Sequence, residues 1–308
     1  MRCRTCGAPA VINLRQHKLA LCAEHFDAWF LEHTARALRK YRMIGPDARV
    51  LVAVSGGKDS LALWEALLRL GYHADGLHID LGIDDGLAYS ARSRMKAEAF
   101  AGQCAAQFPG TRLTIVDLPR QYGESIPQLA TRRHREARPC SLCGLVKRHE
   151  MNRLALELGY DVLATGHNLD DEAATLFGNV LHWETGYLAR QGPVLPADGA
   201  GLARKVKPFC RLYERETAAY ALLRGIDYIE EECPYAKGAT SLHYKEILTQ
   251  MEHDAPGTKL QFYVKFLQAR AEGLFAASVN APALHPCTVC GQPTTAEGRC
   301  SFCRLWER

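Results

Sequence analysis

Ser55-Gly56-Gly57-Lys58-Asp59-Ser60 directly follows the apolar run Val50-Leu51-Val52-Ala53-Val54, and the six residues have the makings of an anion site. Two glycines let a backbone approach an anion closely. The pattern over 59–70 predicts a helix, whose free N–H groups and positive dipole end would face the same spot. Lys58 adds a cation, and Ser55 and Ser60 add hydroxyl donors. The G-x-x-x-x-G-K-[ST] spacing of a Walker loop is absent. An ordinary glycine-rich turn is the plain alternative, but it leaves the flanking Lys, Asp and two Ser unexplained.

Two further strands bring chemistry to the same edge. Tyr160-Asp161-Val162-Leu163-Ala164-Thr165 reads as a strand, and Gly166-His167-Asn168-Leu169-Asp170-Asp171-Glu172-Ala173 opens a helix. Acidic residues at a helix start cap it and suit its dipole. Beside a phosphate site, Asp170 or Asp171 has a second use: holding a magnesium ion or acting on the substrate. An acidic pair aimed at a triphosphate needs a cation. The strand over 74–83 carries His78 and ends near Asp80, placed to meet adenine or ribose. Ligand residues at strand ends that lead into helices predict an α/β fold with an open parallel sheet.

The twelve cysteines make a second framework. Cys3 and Cys6 are followed by Cys22 and His25, and Cys287 and Cys290 by Cys300 and Cys303. Each set offers four soft ligands in two knuckles, which suits a closed, structural tetrahedral zinc. Gly7 and Gly291 follow the second cysteine of each first knuckle, where a tight turn favours a residue without Cβ.

Cys140 and Cys143 form a third C-x-x-C pair without a matching quartet, in a loop expected to enter a helix over 145–158. Arg132, Arg133, Arg135, Arg138, Lys147 and Arg148 make the surroundings electropositive, which favours thiolate. Spacing alone leaves a third zinc site, a redox disulfide, structural thiols and an iron–sulfur site open. Cys233 ends a presumptive strand over 227–232, whereas Cys210 precedes a helix and Cys104 sits beside Ala and Phe as a core residue.

In order, the chain shows C-x-x-C…C-x-x-H, SGGKDS, HIDLGI, PCSLCGLVKR, TGHNLDDEAATLFGN, EECPYAKGA and a double C-x-x-C. That series resembles the tRNA 2-thiouridine synthetases of the TtuA/TtcA group among the PP-loop ATP pyrophosphatases, in the branch with two zinc ribbons. The resemblance covers essentially the whole chain. It implies an adenine-nucleotide α-hydrolase fold, a homodimer, ATP with magnesium, two zinc ions, and a [4Fe–4S] cluster on Cys140, Cys143 and Cys233. The ATP site it implies draws on Ala53, Ser55, Gly56, Gly57, Lys58, Asp59, Ser60, His78, Asp80, Gly166 and Asp171. The catalytic set is Cys140, Cys143 and Cys233 with Lys147, Asp171 and Asp59. The sulfur donor implied is a ubiquitin-like thiocarboxylate carrier or sulfide itself.

The implied chemistry is coherent. A uracil 2-carbonyl oxygen leaves badly, adenylation makes it a good leaving group, and a sulfur nucleophile then takes its place. Ser55 to Ser60 would hold pyrophosphate, with Lys58 and magnesium neutralising charge. Arginines and lysines at 132–138, 204–211 (Arg204, Lys205, Lys207, Arg211) and 36–42 (Arg36, Arg39, Lys40, Arg42) are candidate tracks for tRNA phosphates. Two rival classes remain: a lysidine-forming or amidating PP-loop ligase without a cluster, and a non-enzymatic zinc-ribbon RNA-binding protein.

The 308 residues carry a net charge of +4, which permits an acidic partner without demanding one. No apolar stretch is long enough for a bilayer and the first residues do not resemble a signal peptide, so the expected compartment is the cytoplasm. The expected organisation is a ribbon at 1–29, a basic linker helix at 30–47, the catalytic domain at 48–235, a helical segment at 236–279 and a second ribbon at 280–308.

Overall fold

The structure is a computed structural model that describes residues 1–84, 86, 88–134, 139–197, 201–236, 238–275 and 283–307. The first ribbon is a hairpin of β1 (Ile12–Leu14) and β2 (Leu19–Leu21) leading into α1 (Ala23–Lys40). Cys22 is the N-cap of α1, so His25 falls in its first turn. One helix thus runs through the expected boundary at residue 29. Its Phe26 and Phe30 are fully buried, and Phe30 stacks on Tyr220 with centroids 4.0 Å apart.

Six strands form the central sheet: β3 (Arg49–Ala53), β4 (His73–Asp80), β5 (Leu113–Asp117), β6 (Val162–Thr165), β7 (Val194–Leu195) and β8 (Lys205–Val206). Their order is β5-β4-β3-β6-β8-β7, parallel throughout except for the β7–β8 pair. The chain leaves β3 toward β4 and β5 and later returns on the other side with β6. That reversal is a topological switch point, where the carboxyl ends of neighbouring strands open a crevice. Ala53 aligns with Leu77 and with Thr165, so β3, β4 and β6 present their ends together.

Helices cover the sheet: α2 (Lys58–Arg69), α3 (Tyr89–Gln107), α4 (Leu118–Tyr122), α5 (Ile126–Arg132), α6 (Pro139–Glu157), α7 (Leu169–Leu181), α8 (Thr185–Arg190) and α9 (Glu214–Leu223). Helix α2 is buried from Ser60 to Leu68, since the sheet takes one face and α9 covers another. Then follow α10 (Thr240–Asp254), α11 (Thr258–Ala271), the pair β9 (His285–Pro286) and β10 (Pro293–Thr294), and α12 (Ser301–Leu305). The expected linker at Asn280-Ala281-Pro282 lies outside the described residues. Among the described residues no helix is long and apolar enough to cross a membrane.

Two local expectations change. Helix α6 begins at Pro139, six residues before the expected start, because proline suits the first helical position where its missing N–H has no partner. The stretch before Cys233 forms no strand; the Ile229 N–H goes instead to Gly56 O at 2.9 Å. Three consecutive glutamates offer no alternation for a sheet edge to bury.

Candidate functional site

The turn after β3 is held as a cradle by its own serines. Ser60 Oγ accepts the Ser55 N–H at 3.0 Å and donates to Gly57 O at 2.9 Å. Gly56 has a φ of +79°, and a Cβ there would stand 2.4 Å from Ser93 O. Only glycine combines that conformation with that closeness. Ser93, from α3, donates its Oγ to Ser55 O at 2.5 Å and braces the turn. After β6, a Cβ on Gly166 would meet Asp59 C and O at 2.9 Å, so the two strand-end turns touch backbone to backbone. The start of α2, with its unpaired N–H groups, completes a polar concavity suited to an anion.

Lys58 is tethered at this concavity. Its Nζ lies 2.8 Å from Glu214 Oε1 and 3.1 Å from Asp59 Oδ2. Burial opposes the charge on Lys58, but the two carboxylates outweigh it and hold its pKa above the ordinary lysine value. For Glu214, burial works upward, and Lys245 and Lys58 overcome it to bring the pKa to about 2. Asp59 also accepts from Thr217 Oγ1 and, at 3.2 Å, from Asn168 Nδ2. Burial raises its pKa despite Lys58 and Thr217.

The acidic run opening α7 has a lysine for each member. Asp170 pairs with Lys259 in the interior, Asp171 Oδ1 lies 2.6 Å from Lys245 Nζ, and Glu172 Oε1 lies 2.6 Å from Lys207 Nζ. Asp171 also closes a capping box, its Oδ2 accepting the Asn168 N–H at 3.0 Å. Each carboxylate of the run thus lies beside an ammonium group. Asp170 is buried, while Asp171 stays partly exposed and its charge reaches Asp59.

Beside the cradle is a cavity of about 110 Å³ lined by Ala53, Ser55, His78, Tyr89, Ser93 and Lys147, among others. His78 Nδ1 is 2.9 Å from Val54 O and must carry the proton there, and burial lowers the pKa of the ring, so it is neutral. Its Nε2 is then a buried acceptor without a partner. Asp80 is engaged elsewhere: Oδ1 accepts the Gly82 N–H at 3.0 Å and Oδ2 lies 3.8 Å from Arg94.

Cys140 and Cys143 share one face of the first turns of α6. Cys140 Sγ donates to Tyr235 O at 3.2 Å, across to the loop that carries Cys233. Cys143, Cys233, Tyr235 and Tyr89 all border one apolar cluster. Burial first, then the charges at Cys233 and Cys143, push the Tyr89 pKa up to about 12. Tyr89 and Lys147 also line the cavity, so through Tyr89 the cavity adjoins the cluster that holds Cys143 and Cys233. Cys210 is fully buried, and burial drives its pKa far up; Cys104 is pushed to about 12 in the same way.

The ligand atoms of Cys3, Cys6, Cys22 and His25 lie within 4.8 Å of one another, as do those of Cys287, Cys290, Cys300 and Cys303. Four such donors this close match closed tetrahedral zinc. Gly7 and Gly291 take φ values of +76° and +71°, as the knuckle turns require.

Several expected phosphate-tracking residues are occupied internally. Arg132 and Arg133 donate to Leu305 O at 2.7 and 2.9 Å and so close the carboxyl end of α12. Arg204 donates to Met43 O at 3.2 Å, and Lys207 is held by Glu172. Burial, with Lys207 and Arg148 nearby, lowers the Lys205 pKa to about 8. Arg36 and Arg39 share Glu32 and remain exposed. Arg135 and Arg138 lie outside the described residues. A cleft of about 570 Å³ between α6 and α12 is lined by Arg133, Arg148 and Arg304.

Tyr89, Ser93, Glu214 and Lys245 belong to no motif and were not expected at the site. The Ser90/Ser93 spacing puts two hydroxyls on one helix face, of which Ser93 reaches the glycine turn while Ser90 accepts the Ile83 N–H at 2.9 Å.

Comparison with known proteins is consistent along the chain. Residues 2–27 match the family model for the 2-thiouridine synthetase TtuA, N-terminal LIM domain, and residues 48–181 match that for the tRNA methyl transferase HUP domain. A tRNA-5-methyluridine(54) 2-sulfurtransferase from Thermus thermophilus is 52% identical over 307 residues, covering 100% of this chain and 91% of the relative. The protein of the same name from Pyrococcus horikoshii is 42% identical, covering 99% and 94%. Among solved structures, the U34-tRNA thiolase NcsA from Methanococcus maripaludis, with its [4Fe-4S] cluster, superposes with a TM-score of 0.80 at 24% identity, over 99% of this chain and 95% of that one.

Proposed function

The chain belongs to the tRNA 2-sulfurtransferase family, and from that premise we propose that it adenylates a uridine 2-carbonyl of tRNA with ATP and replaces the oxygen with sulfur. The target we assign is the 5-methyluridine at position 54, because relatives named for it share 52% and 42% of their residues with this chain, against 24% for the wobble-position thiolase. The observation that carries the reaction reading is Tyr89, which lines the nucleotide cavity and borders the cluster of Cys143 and Cys233, with Lys147 on the same cavity wall and its charge felt at Cys233. Activation and sulfur delivery must meet at one carbon, and that wall brings them together.

The residues fit the groups they would hold. The free Nε2 of His78 would accept the exocyclic amine of adenine, a donor that guanine lacks at that place. The glycine turn, Ser55, Ser60 and Lys58 would hold the outer phosphates and stabilise the pyrophosphate as it departs. Asp59 positions Lys58, and Asp171 would orient magnesium or the substrate. Lys147, one turn past Cys143, would offset charge on the carbonyl oxygen. Three thiols, two on the first turns of a helix, are too few to close a zinc site and suit a [4Fe–4S] cluster. Such a cluster, when bound, supplies an open iron at which inorganic sulfur is held as a nucleophile.

The division into ribbons at 1–29 and 280–308, linker at 30–47, catalytic domain at 48–235 and helical segment at 236–279 goes with this reading, with α1 running across the boundary at 29. So do a thiocarboxylate carrier or sulfide as donor, a homodimer and a cytoplasmic location. The test is anaerobic tRNA thiolation by Cys140→Ala, Cys143→Ala and Cys233→Ala, followed by mass spectrometry of nucleosides. Each variant is expected to lose iron and at least 100-fold in rate while still binding ATP. Thiolation at the parental rate in all three overturns the proposal.

A further inference from the structure

Helix α10 sends a side chain to the edge of the phosphate site, though no motif marks it. Lys245 Nζ lies 2.6 Å from Asp171 Oδ1 and 3.1 Å from Glu214 Oε2. The other oxygen of the same carboxylate, Oε1, lies 2.8 Å from Lys58 Nζ. One glutamate therefore stands between two ammonium groups, one from the glycine turn and one from α10. Neither lysine is sealed away, with 23% and 22% of their side chains exposed.

The position of α10 is built in. A Cβ on Gly178 of α7 would meet Tyr244 Cε2 at 2.9 Å, so a glycine is needed where the two helices cross. Tyr244 also meets Phe177 edge to face, with centroids 5.4 Å apart. The packing that fixes Tyr244 fixes its neighbour Lys245. Lys259 of α11, paired with Asp170 and hydrogen-bonded to Thr249 of α10 at 2.9 Å, anchors the helical pair from the other side.

We propose that Lys245 is a second cation for the pyrophosphate part of the nucleotide, held in place by Glu214. The inference rests on reading Ser55 to Ser60 as the ATP site. Asp59, Asp171 and Glu214 place three carboxylates around two lysines, which is more negative charge than the lysines balance. A polyphosphate entering beside Lys58 meets Glu214 as a repulsive neighbour and Lys245 as an attractive one. Exchange of carboxylate oxygens for phosphate oxygens frees both lysines to follow the ligand. Glu214 thus holds the lysines in place and also competes with the phosphates for them.

That dual position gives the two partners of one ion pair opposite effects. Calorimetric titration of the full chain with magnesium pyrophosphate reads them. Lys245→Gln is expected to weaken binding about tenfold, and Lys245→Arg to keep most of it. Glu214→Gln is expected to strengthen binding several-fold, and Glu214→Gln with Lys245→Gln to lose that gain. If Lys245 is only a staple for α10, Lys245→Gln lowers Tm without moving affinity, and Glu214→Gln with Lys245→Gln keeps whatever gain Glu214→Gln brings through Lys58. That result overturns the inference. Lys58→Gln separates it from its premise: unchanged affinity in Lys58→Gln removes the ATP-site reading itself. Weakened binding in Lys58→Gln beside unchanged binding in Lys245→Gln removes the role of Lys245 alone.

Discussion

The imidazole of His149 lies flat on the ring of Phe302, with centroids 3.5 Å apart and planes 3° from parallel. His149 belongs to α6, the helix of Cys140 and Cys143, and Phe302 lies between the ligand residues Cys300 and Cys303. Gln292 adds polar seams, donating to His149 O at 3.2 Å and accepting from Asn152 at 3.0 Å. The second ribbon is therefore clamped onto the cysteine helix, and whatever folds the ribbon also steadies that helix.

Phe302→Ala is expected to destabilise the protein by about 3 kcal/mol, the usual cost of emptying an aromatic core site. Urea unfolding followed by circular dichroism checks this. Removing the ribbon's metal with a chelator should act on the same contact. Both treatments are expected to lower iron per chain after anaerobic reconstitution more than they lower ATP affinity, since α6 carries two of the three cysteines and the nucleotide cradle is built on β3 and α2.

Glu150, next in sequence, gives a pH signature. It is completely buried, and burial alone would raise its pKa, but hydrogen bonds from His149, Arg153 and Tyr122 hold it at about 2 against a reference of 4.5. A carboxyl with a folded pKa below its unfolded one contributes stability that is complete above pH 4.5. That stability is lost as the pH falls toward 2. The contribution is of the order of 3 kcal/mol. Comparison of Glu150→Gln with the parent by urea unfolding should show a gap at pH 6 that narrows steadily at pH 4 and pH 3. A gap independent of pH would refute the assignment.

Much of this site was legible because its parts are local. Ser55 to Ser60 and the two zinc quartets are runs whose chemistry follows from spacing, and each falls on the turn its spacing predicts. Lys245 and Glu214 were not legible, since each matters only through partners distant in sequence that the fold brings beside it, as with Lys245 and Asp171 or Glu214 and Lys58. The acidic run at Asp170 shows the boundary well. Its need for a cation could be read, but the lysines beside it come from segments without any motif. The fate of the arginines at 132 and 133 was hidden for the same reason, because the carbonyls they satisfy belong to the last helix.

Gly56→Ala tests the cradle. The substitution forces a φ of +79° on an L side chain and drives a Cβ to 2.4 Å from Ser93 O, which is backbone and cannot swing aside. A strain of about 1–3 kcal/mol is expected, measurable as a lower Tm. Because the turn must also shift, the KM for ATP should rise at least tenfold. Gly7→Ala, which forces a φ of +76° but meets no atom within 4 Å, should lower Tm less and leave the KM unmoved.

Cys210→Ser and Cys233→Ser should separate cleanly. Cys210 is sealed in the core beside Phe209 and Leu212, and its raised pKa keeps it a neutral thiol at any physiological pH. Serine there buries a hydroxyl in place of a weakly polar sulfur, which costs about 1–3 kcal/mol if no partner is found. Iron content should be unchanged, because Cys210 is sealed in the main core, away from the cluster that Cys143 and Cys233 border. Cys233 is only partly buried, and its loop is tied to Cys140 through Tyr235 O. Cys233→Ser should leave the Tm of the iron-free protein within about a degree of the parent, as surface changes commonly do. It should nevertheless take up little iron, as measured by absorbance near 400 nm (roughly the thiolate-to-iron charge-transfer region of such clusters) and by chemical assay. Retention of iron by Cys233→Ser with loss in Cys210→Ser would reverse the choice between them, and with it the argument from their places in the fold.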